Sequence, residues 1–258
     1  MKLCVLGSGS GGNSIYIDSN GAGIIIDQGF SFKSLAERMN SRGLDVSRIT
    51  AILVSHEHGD HISGVGITAR KLSIPVYATG GTLESGRSLF RGGETLNRVT
   101  GGVSVRIGPF EILPFSVSHD AAEPVQYVIC TRKKRIAVAT DLGFVSHLVH
   151  ECLKTANLVV LEANHDVEML RNGSYTWPLK QRIMSRTGHL SNRNAAEILF
   201  NLSNAGRGPD IVLAHLSEEN NRPELAEREV RELFERHDKK IKSLVIAAQN
   251  EATPVITI

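Results

Sequence analysis

Three histidines and an aspartate stand within six consecutive residues, in the segment His56-Glu57-His58-Gly59-Asp60-His61. Imidazole and carboxylate together suit Zn²⁺, Mn²⁺ or Fe²⁺, whereas Mg²⁺ and Ca²⁺ prefer oxygen ligands alone. Because side chains two positions apart in an extended segment project to the same side, we expect His56 and His58 to face one metal ion. The segment therefore predicts a metal centre, against the alternative of an exposed loop that is merely rich in histidine.

Further candidate ligands each come directly after an apolar run that is typical of a β-strand. They are His119, Asp141 and His215. Side chains that follow several strands can converge on one sheet edge, so we expect these residues to meet the HxHxDH segment. Divalent metal held there would lower the pKa of a water molecule and neutralise charge on a phosphoryl or carbonyl oxygen.

The elements that position these residues are short strands mixed with helices. Strands are predicted at Leu3–Leu6, Ser14–Ile17, Gly23–Ile26, Ile49–Val54, Pro75–Ala78, Val103–Ile107, Phe110–Val117, Val125–Cys130, Arg135–Ala139, Leu158–Leu161, Ile211–Ala214 and Leu244–Ile246. Helices are predicted at Phe32–Arg42, Ile62–Lys71, Val145–Lys154, Asn192–Asn201 and Glu224–His237. Hairpins followed by crossovers favour an α+β fold with two mixed sheets and helices outside. We expect one domain over residues 1–258, with Ser203–Pro209 as a polar loop.

Composition limits the class of protein without naming a partner. The 258 residues are 41% hydrophobic and 22% charged, and the net charge of +2 does not by itself indicate a nucleic-acid partner. Three widely spaced cysteines without a CxxC pair argue against a disulfide framework and suit the cytoplasm. No signal peptide or membrane-spanning window is found, so no membrane association is expected.

The ligand pattern resembles that of the metallo-β-lactamase superfamily over nearly the whole chain. The resemblance implies an αββα sandwich, with Asp27 accepting hydrogen bonds that orient the metal-binding loop. It also implies one metal on His56, His58 and His119, a second on Asp60, His61 and His215, and Asp141 bridging them. Asp60 and Asp141 would in addition hold the attacking hydroxide.

Later segments indicate a branch of this superfamily. A typical β-lactamase has a cysteine in the second metal site and lacks the final histidine, which is His61 here. The chain has no room for the inserted CASP domain of larger nucleases. The segments around Glu162 and His189 resemble those of tRNase Z-type phosphodiesterases, where such a pair forms a charge relay, and His165 competes with His189. A carboxylate-supported imidazole can protonate a leaving oxygen; the alternative is that Glu162 caps a helix and His189 is a loop residue.

Four longer strings resemble the WalJ/YycJ-like family of small nucleases, namely Gly7–Ser14, Ser118–Pro124, Glu162–Leu170 and Ala214–Asn221. Members resemble exonucleases that degrade single-stranded DNA from the 5′ end. We therefore expect a nuclease that uses two divalent ions, Zn²⁺ or Mn²⁺ or else Fe²⁺. The alternatives are hydrolysis of a small phosphodiester or thioester, an RNA-processing nuclease, and a non-catalytic regulator. The oligomeric state is left open.

Contacts with a substrate are predicted from three segments. In the glycine-rich first loop, Ser10 and Asn13 are candidates to contact phosphate. The basic run Arg132–Arg135 is either a solvated hairpin or a contact to the phosphate backbone. Tyr175 and Trp177 are predicted in a loop, where they either stack on a base or pack internally.

Overall fold

The computed structural model describes residues 1–203 and 208–258. Within them the strands are β1 (Lys2–Gly7), β2 (Ser14–Ser19), β3 (Ala22–Ile26), β4 (Ile49–Leu53), β5 (Val76–Ala78), β6 (Leu96–Arg98), β7 (Val105–Ile107), β8 (Phe110–Ser116), β9 (Val125–Cys130), β10 (Arg135–Ala139), β11 (Leu158–Glu162), β12 (Asp210–Ala214), β13 (Ser243–Ile246) and β14 (Ile256–Thr257). The α-helices are α1 (Phe32–Asn40), α2 (Gly59–Ile62), α3 (Val65–Leu72), α4 (Gly80–Ser85), α5 (His147–Lys154), α6 (Val167–Asn172), α7 (Trp177–Ile183), α8 (Asn192–Ser203) and α9 (Pro223–Arg236).

The strands form two mixed sheets that pack face to face. The first has the order β14-β1-β2-β3-β4-β5-β6 and the second has the order β13-β12-β11-β10-β9-β8-β7. Antiparallel hairpins lead in both sheets to parallel pairs, from β3 to β6 and from β10 to β13. Aliphatic side chains from both inner faces fill the space between the sheets. The Tyr127 hydroxyl crosses this core and donates a 2.7 Å hydrogen bond to the Val54 carbonyl, close to the end of β4.

Helices cover the outer face of each sheet. One apolar cluster joins the outer face of the first sheet to helices α1 and α3, through residues such as Leu35, Met39 and Val65. Another joins the second sheet to α5, α8 and α9, through residues such as Leu153 and Leu199. The predicted αββα sandwich of two mixed sheets with helices outside is confirmed.

The predicted helix Ile62–Lys71 is wrong in its bounds, because the structure divides it into α2 and α3. The break falls at Gly64, whose amide donates a 2.8 Å hydrogen bond to the Gln28 carbonyl. A β-carbon at Gly64 would collide with the carbonyl of Phe30. The loop after β3 therefore crosses the chain at this point, and Asp60 and His61 lie within the short helix α2 instead of before a helix.

Several short elements were not predicted, namely α4, α6, α7, β6 and β14, and β7 begins two residues later than predicted. Tyr175 precedes α7, and Trp177 is its first residue, so the predicted loop at this position is wrong for Trp177. The buried Lys180 of α7 donates hydrogen bonds to the carbonyls of Arg171 and Gly173, which ties α7 to α6. Local sequence does not reveal such tertiary support.

The predicted loop Ser203–Pro209 includes residues 204–207, which lie outside the described residues. None of the helices in the described ranges is long and apolar enough to cross a membrane.

Candidate metal centre

The predicted ligands lie just past the carboxyl ends of strands β4, β8, β10 and β12. Two of them, Asp141 and His215, have positive φ angles of 54° and 55°, and Asp27 has φ 58°. Left-handed backbone at a residue other than glycine costs about 1–3 kcal/mol and persists only where the surroundings enforce it. The fold thus holds these residues in an unfavourable conformation at the same edge of the sandwich.

His56, His58 and His119 form one group of nitrogen donors. Nε2 of His56 lies 3.1 Å from Nδ1 of His58, and Nε2 of His119 lies 3.3 Å from the same atom. Burial, reinforced by the neighbouring histidines, holds the pKa of His56 well below its ordinary value. Burial also lowers the pKa of His119. Neutral imidazoles are the form that binds a metal ion.

Asp60, His61, His215 and Asp141 form a second group beside the first. Oδ2 of Asp60 lies 3.2 Å from Nε2 of His61 and 3.6 Å from Nε2 of His215. The two carboxylate oxygens of Asp141 lie 3.4 Å from Nε2 of His61 and 3.3 Å from Nε2 of His215. Asp141 therefore faces both of these histidines.

Carboxylates dominate the electrostatics of the second group. Burial disfavours the charged form of His215, but the carboxylates of Asp141, Asp60 and Glu162 outweigh it and raise its pKa to about 10. The pKa of His61 is raised well above its ordinary value for the same reason, with Asp141 and Asp27 as the main partners. The acids of this group thus favour positive charge at its centre.

Asp27 lies behind the HxHxDH segment and orients it. Its Oδ1 accepts a 2.7 Å hydrogen bond from the Ser55 amide, and its Oδ2 accepts one of 2.8 Å from the Ser55 hydroxyl. Nδ1 of His61 lies 2.8 Å from the same Oδ2. With Nδ1 engaged in this way, Nε2 of His61 is the nitrogen directed at the candidate metal site.

Glu162, the last residue of β11, is fully buried and receives hydrogen bonds from both sides. Its Oε1 lies 2.8 Å from Nδ1 of His189 and 2.8 Å from Nδ1 of His215. Its Oε2 accepts a 2.9 Å hydrogen bond from the Leu190 amide. Burial alone would raise the pKa of Glu162, but the two histidines outweigh it and lower the pKa, so the carboxylate is ionised. The interpretation of Glu162 as a helix cap is therefore wrong.

The chemistry of the donors fits divalent metal ions. Four sets of three or four side chains place their donor atoms within 4.8 Å of one another. Neighbouring sets overlap, because His56, His61, Asp141 and His215 each belong to two of the sets. Oδ2 of Asp141 and Nε2 of His215 are buried without a hydrogen-bond partner among the described residues. Buried polar atoms are expensive to leave unpaired, and a metal ion between the donors would satisfy both.

Comparison with known proteins assigns the family. The model of the beta-lactamase superfamily domain matches residues 23–215. An exodeoxyribonuclease YycJ of Bacillus anthracis is 39% identical over 237 residues, which cover 91% of this chain and 89% of that protein. The chain belongs to the WalJ/YycJ-like family of the metallo-β-lactamase superfamily.

Other comparisons agree with this assignment. An exodeoxyribonuclease WalJ of Streptococcus pneumoniae is 39% identical over 229 residues, or 87% of this WalJ/YycJ-like chain and 85% of that protein. The crystal structure of the metallo-beta-lactamase fold protein YhfI from Bacillus subtilis matches with a TM-score of 0.75 over 98% of both chains. At 17% identity, the likeness to YhfI shows a shared fold. The predicted family is confirmed, and the chain is a metal-dependent hydrolase.

Two of the predicted substrate residues of this WalJ/YycJ-like chain lie deeper than expected. The side-chain amide of the buried Asn13 lies 3.1 Å from Oδ2 of Asp60, and its carbonyl oxygen accepts hydrogen bonds from Ser8 and the Gly9 amide. Its polar atoms thus hold the loop against Asp60. His165 is also buried, and burial lowers its pKa to about 4. Glu162 hydrogen-bonds His189 and not His165. Ser10, in contrast, is exposed and lines the same cavity as His189.

The basic run Arg132–Arg135 lies at the wrong end of the sandwich to join Ser10 in one groove. The run leads into the start of β10, whereas Asp141 follows the end of that strand. At about 3.3 Å per residue, roughly 20 Å separates the two positions. The run and the first loop therefore lie too far apart to form one short strand-binding groove.

The sequence did not reveal a contact between α7 and the His119 loop. Nε of Arg182 donates a 2.6 Å hydrogen bond to Oδ2 of Asp120, and Oδ1 of Asp120 lies 3.5 Å from Nε2 of His119. Asp120 belongs to one of the strings that resemble the WalJ/YycJ-like family, but its partner is 62 residues away. No local pattern links the two.

Proposed function

We propose that this chain is a two-metal nuclease that removes nucleotides successively from the 5′ end of single-stranded DNA in the cytoplasm. The observation that carries the proposal is the arrangement at one edge of the sandwich, where seven candidate metal ligands adjoin the buried Glu162 and its partner, the partly exposed His189. The names of the relatives, exodeoxyribonucleases YycJ and WalJ, support DNA as the substrate.

The proposed ligands divide into two sets that share one bridge. One ion would be held by His56, His58 and His119. The other ion would be held by Asp60, His61 and His215, and Asp141 would be a ligand of both. Histidine and carboxylate donors favour Zn²⁺ or Mn²⁺, with Fe²⁺ as a third candidate. Such ions supply Lewis acidity and a water molecule of lowered pKa. Asp60 and Asp141 are the acids placed to orient that water.

His189 is the proposed proton donor. Its Nδ1 is engaged by Glu162, which leaves Nε2 on the other side of the ring to face a substrate. Burial disfavours a charged His189, but the Glu162 carboxylate outweighs it and raises the pKa. The leaving oxygen would depart with the electron pair of the broken phosphorus–oxygen bond and take the proton of His189. The oxygen of water would form the new bond to phosphorus.

The other candidate functions have less support. A non-catalytic regulator would need no complete set of metal donors. A thioester needs no strong acid for its leaving sulfur, so the Glu162–His189 pair favours a phosphodiester. A small phosphodiester or an RNA would present the same chemistry at the metal centre, so substrate tests must separate them from DNA.

Time courses on labelled polymers test the proposal directly. The protein is incubated in Zn²⁺ or Mn²⁺ with single-stranded DNA or RNA labelled at either the 5′ or the 3′ end. Parallel reactions contain bis(4-nitrophenyl) phosphate. A 5′ label should appear at once in mononucleotides, while the strand that carries a 3′ label should shorten stepwise. A circular single strand should resist cleavage. Cleavage of the circle at the rate of the linear strand would contradict the exonuclease and indicate an endonuclease.

A further inference from the structure

A cavity of about 180 Å³ opens beside His189 on the side of α7. Tyr175, Leu179 and Arg182 line it from the α7 segment, and Ser10 and Ser217 line it from the opposing loops. Gly188 and His189 connect it to the metal centre, because the Gly188 carbonyl lies 3.4 Å from Nδ1 of His119. The cavity therefore lies next to the proposed proton donor.

The cavity combines the ion pair of Arg182 and Asp120 with an aromatic ring. Arg182 is 59% exposed, and its Nε is tied to Asp120, which holds the guanidinium at the cavity while its terminal nitrogens remain available for a bidentate contact. Tyr175 is half-buried at the same cavity. Cation and aromatic ring are the pair of groups that bind the phosphate and the base of a nucleotide.

The size of the cavity limits what can enter it. Pockets for drug-sized ligands measure about 300–1,000 Å³. At about 180 Å³ this cavity is smaller, so it has room for no more than one small unit, such as the terminal unit of a chain.

We propose that this cavity binds the 5′-terminal nucleotide of the substrate, with Arg182 on its 5′-phosphate and Tyr175 stacked on its base. The proposal rests on the proposed exonuclease function and explains its dependence on an end. Water attacks the phosphorus that follows the terminal nucleotide, and the bond to its 3′ oxygen breaks. That oxygen leaves with the bonding electron pair and takes the proton of His189. The phosphate remains on the shortened strand, so the next terminal nucleotide again carries a 5′-phosphate for Arg182.

The first cleavage of matched strands tests the role of Arg182. Single-stranded oligonucleotides with a 3′ fluorophore are prepared with a 5′-phosphate or a 5′-hydroxyl. The wild-type protein should remove the first nucleotide of the hydroxyl strand about tenfold more slowly, the scale of one lost hydrogen bond to a charged group, and then continue at the ordinary rate. In Arg182→Gln this preference should disappear.

Arg186→Gln is the matched control. Arg186 is an exposed arginine of the neighbouring segment, but it stacks on Phe144 and does not line the cavity. The control should keep the wild-type preference for a 5′-phosphate. A wild-type protein without any preference, or an Arg182→Gln variant that retains it, would overturn the role of Arg182.

Tyr175 is tested with a strand whose terminal nucleotide lacks its base. Tyr175→Leu should raise KM about tenfold for an ordinary strand, as expected for a lost stacking contact, and leave KM for the abasic end unchanged. Tyr175→Phe should behave as the wild type because the ring is kept. Equal effects of Tyr175→Leu on both strands would contradict stacking.

The experiments distinguish an error in the nucleotide-binding role of the cavity from an error in the proposed exonuclease function. Stepwise 5′ degradation that is indifferent to Arg182 and Tyr175 overturns the cavity alone. A wild-type protein that hydrolyses bis(4-nitrophenyl) phosphate but leaves DNA intact overturns the exonuclease. In that case calorimetry with thymidine 5′-monophosphate decides the cavity: binding that Arg182→Gln weakens about tenfold supports it, and no binding overturns it.

Discussion

Oε1 of Glu162 lies 2.8 Å from Nδ1 of His215, and it lies at the same distance from Nδ1 of His189. One carboxylate oxygen thus supports both a proposed metal ligand and the proposed proton donor. A carboxylate behind a metal-binding imidazole orients the ring and raises its basicity. Changes at Glu162 should consequently act on metal binding and proton transfer together.

Glu162→Gln should lower metal affinity about 10- to 100-fold, the usual effect of losing a carboxylate behind a ligating histidine. It should also reduce turnover in excess metal, because the neutral amide does not stabilise a protonated His189. Metal affinity is measured by competition with a chromogenic chelator, and turnover is measured at saturating metal. If excess metal fully restores turnover, Glu162 supports His215 alone.

His189→Ala should separate the two effects. The variant should keep its metal ions and lose turnover on DNA about a hundredfold or more, the scale of a lost general acid. The loss should shrink on bis(4-nitrophenyl) phosphate, whose leaving group needs no proton. Equal losses on both substrates would contradict the role of proton donor and favour a role in binding phosphate.

His58→Ala and Asp141→Ala should each lose metal and activity while the chain stays folded. Asp141→Ala should have the larger effect, since Asp141 faces both His61 and His215. Elemental analysis of the reconstituted wild type should give close to two ions per chain, and circular dichroism checks folding. His147→Ala removes an exposed histidine of α5 and should match the wild type. A wild type without metal above background would refute the two-metal centre.

Metal affinity should rise with pH. With a pKa of about 10, His215 carries a proton at pH 8 in the metal-free protein, and the raised pKa of His61 acts in the same direction. Metal must displace these protons, so affinity should increase about tenfold per pH unit for each proton released. Calorimetry in buffers of different ionisation enthalpy counts the protons. Binding that releases none at pH 8 would contradict protonated His61 and His215.

Replacement of Lys133 and Lys134 by glutamine should leave kcat/KM on short single strands unchanged. Both residues lie at the end of the sandwich opposite Asp141. The measurement is made at low salt, where any contact between a cation and a phosphate is strongest. A severalfold rise in KM on a ten-nucleotide strand would show that the substrate reaches this hairpin.

The sandwich and the position of the candidate metal donors were predictable from sequence because their signals are local. Short apolar runs bounded by glycine or polar residues mark strands, and His56, His58, Asp60 and His61 lie within one short segment. His119, Asp141 and His215 each follow a strand, and residues that follow strands meet at a sheet edge. The short helix α7 escaped prediction, and the contacts of its Lys180 with the carbonyls of Arg171 and Gly173 at the end of α6 are not visible in the local sequence.

Only the tertiary structure decided which residues act as partners across long stretches of chain. Glu162 meets His215 across 53 residues and Arg182 meets Asp120 across 62 residues, and neither spacing has a sequence signature. Likewise, Asn13 turns inward to Asp60, and the basic hairpin points away from the metal centre. A hydrogen bond depends on where two chain segments are placed in space, and the packing of the two sheets sets that placement.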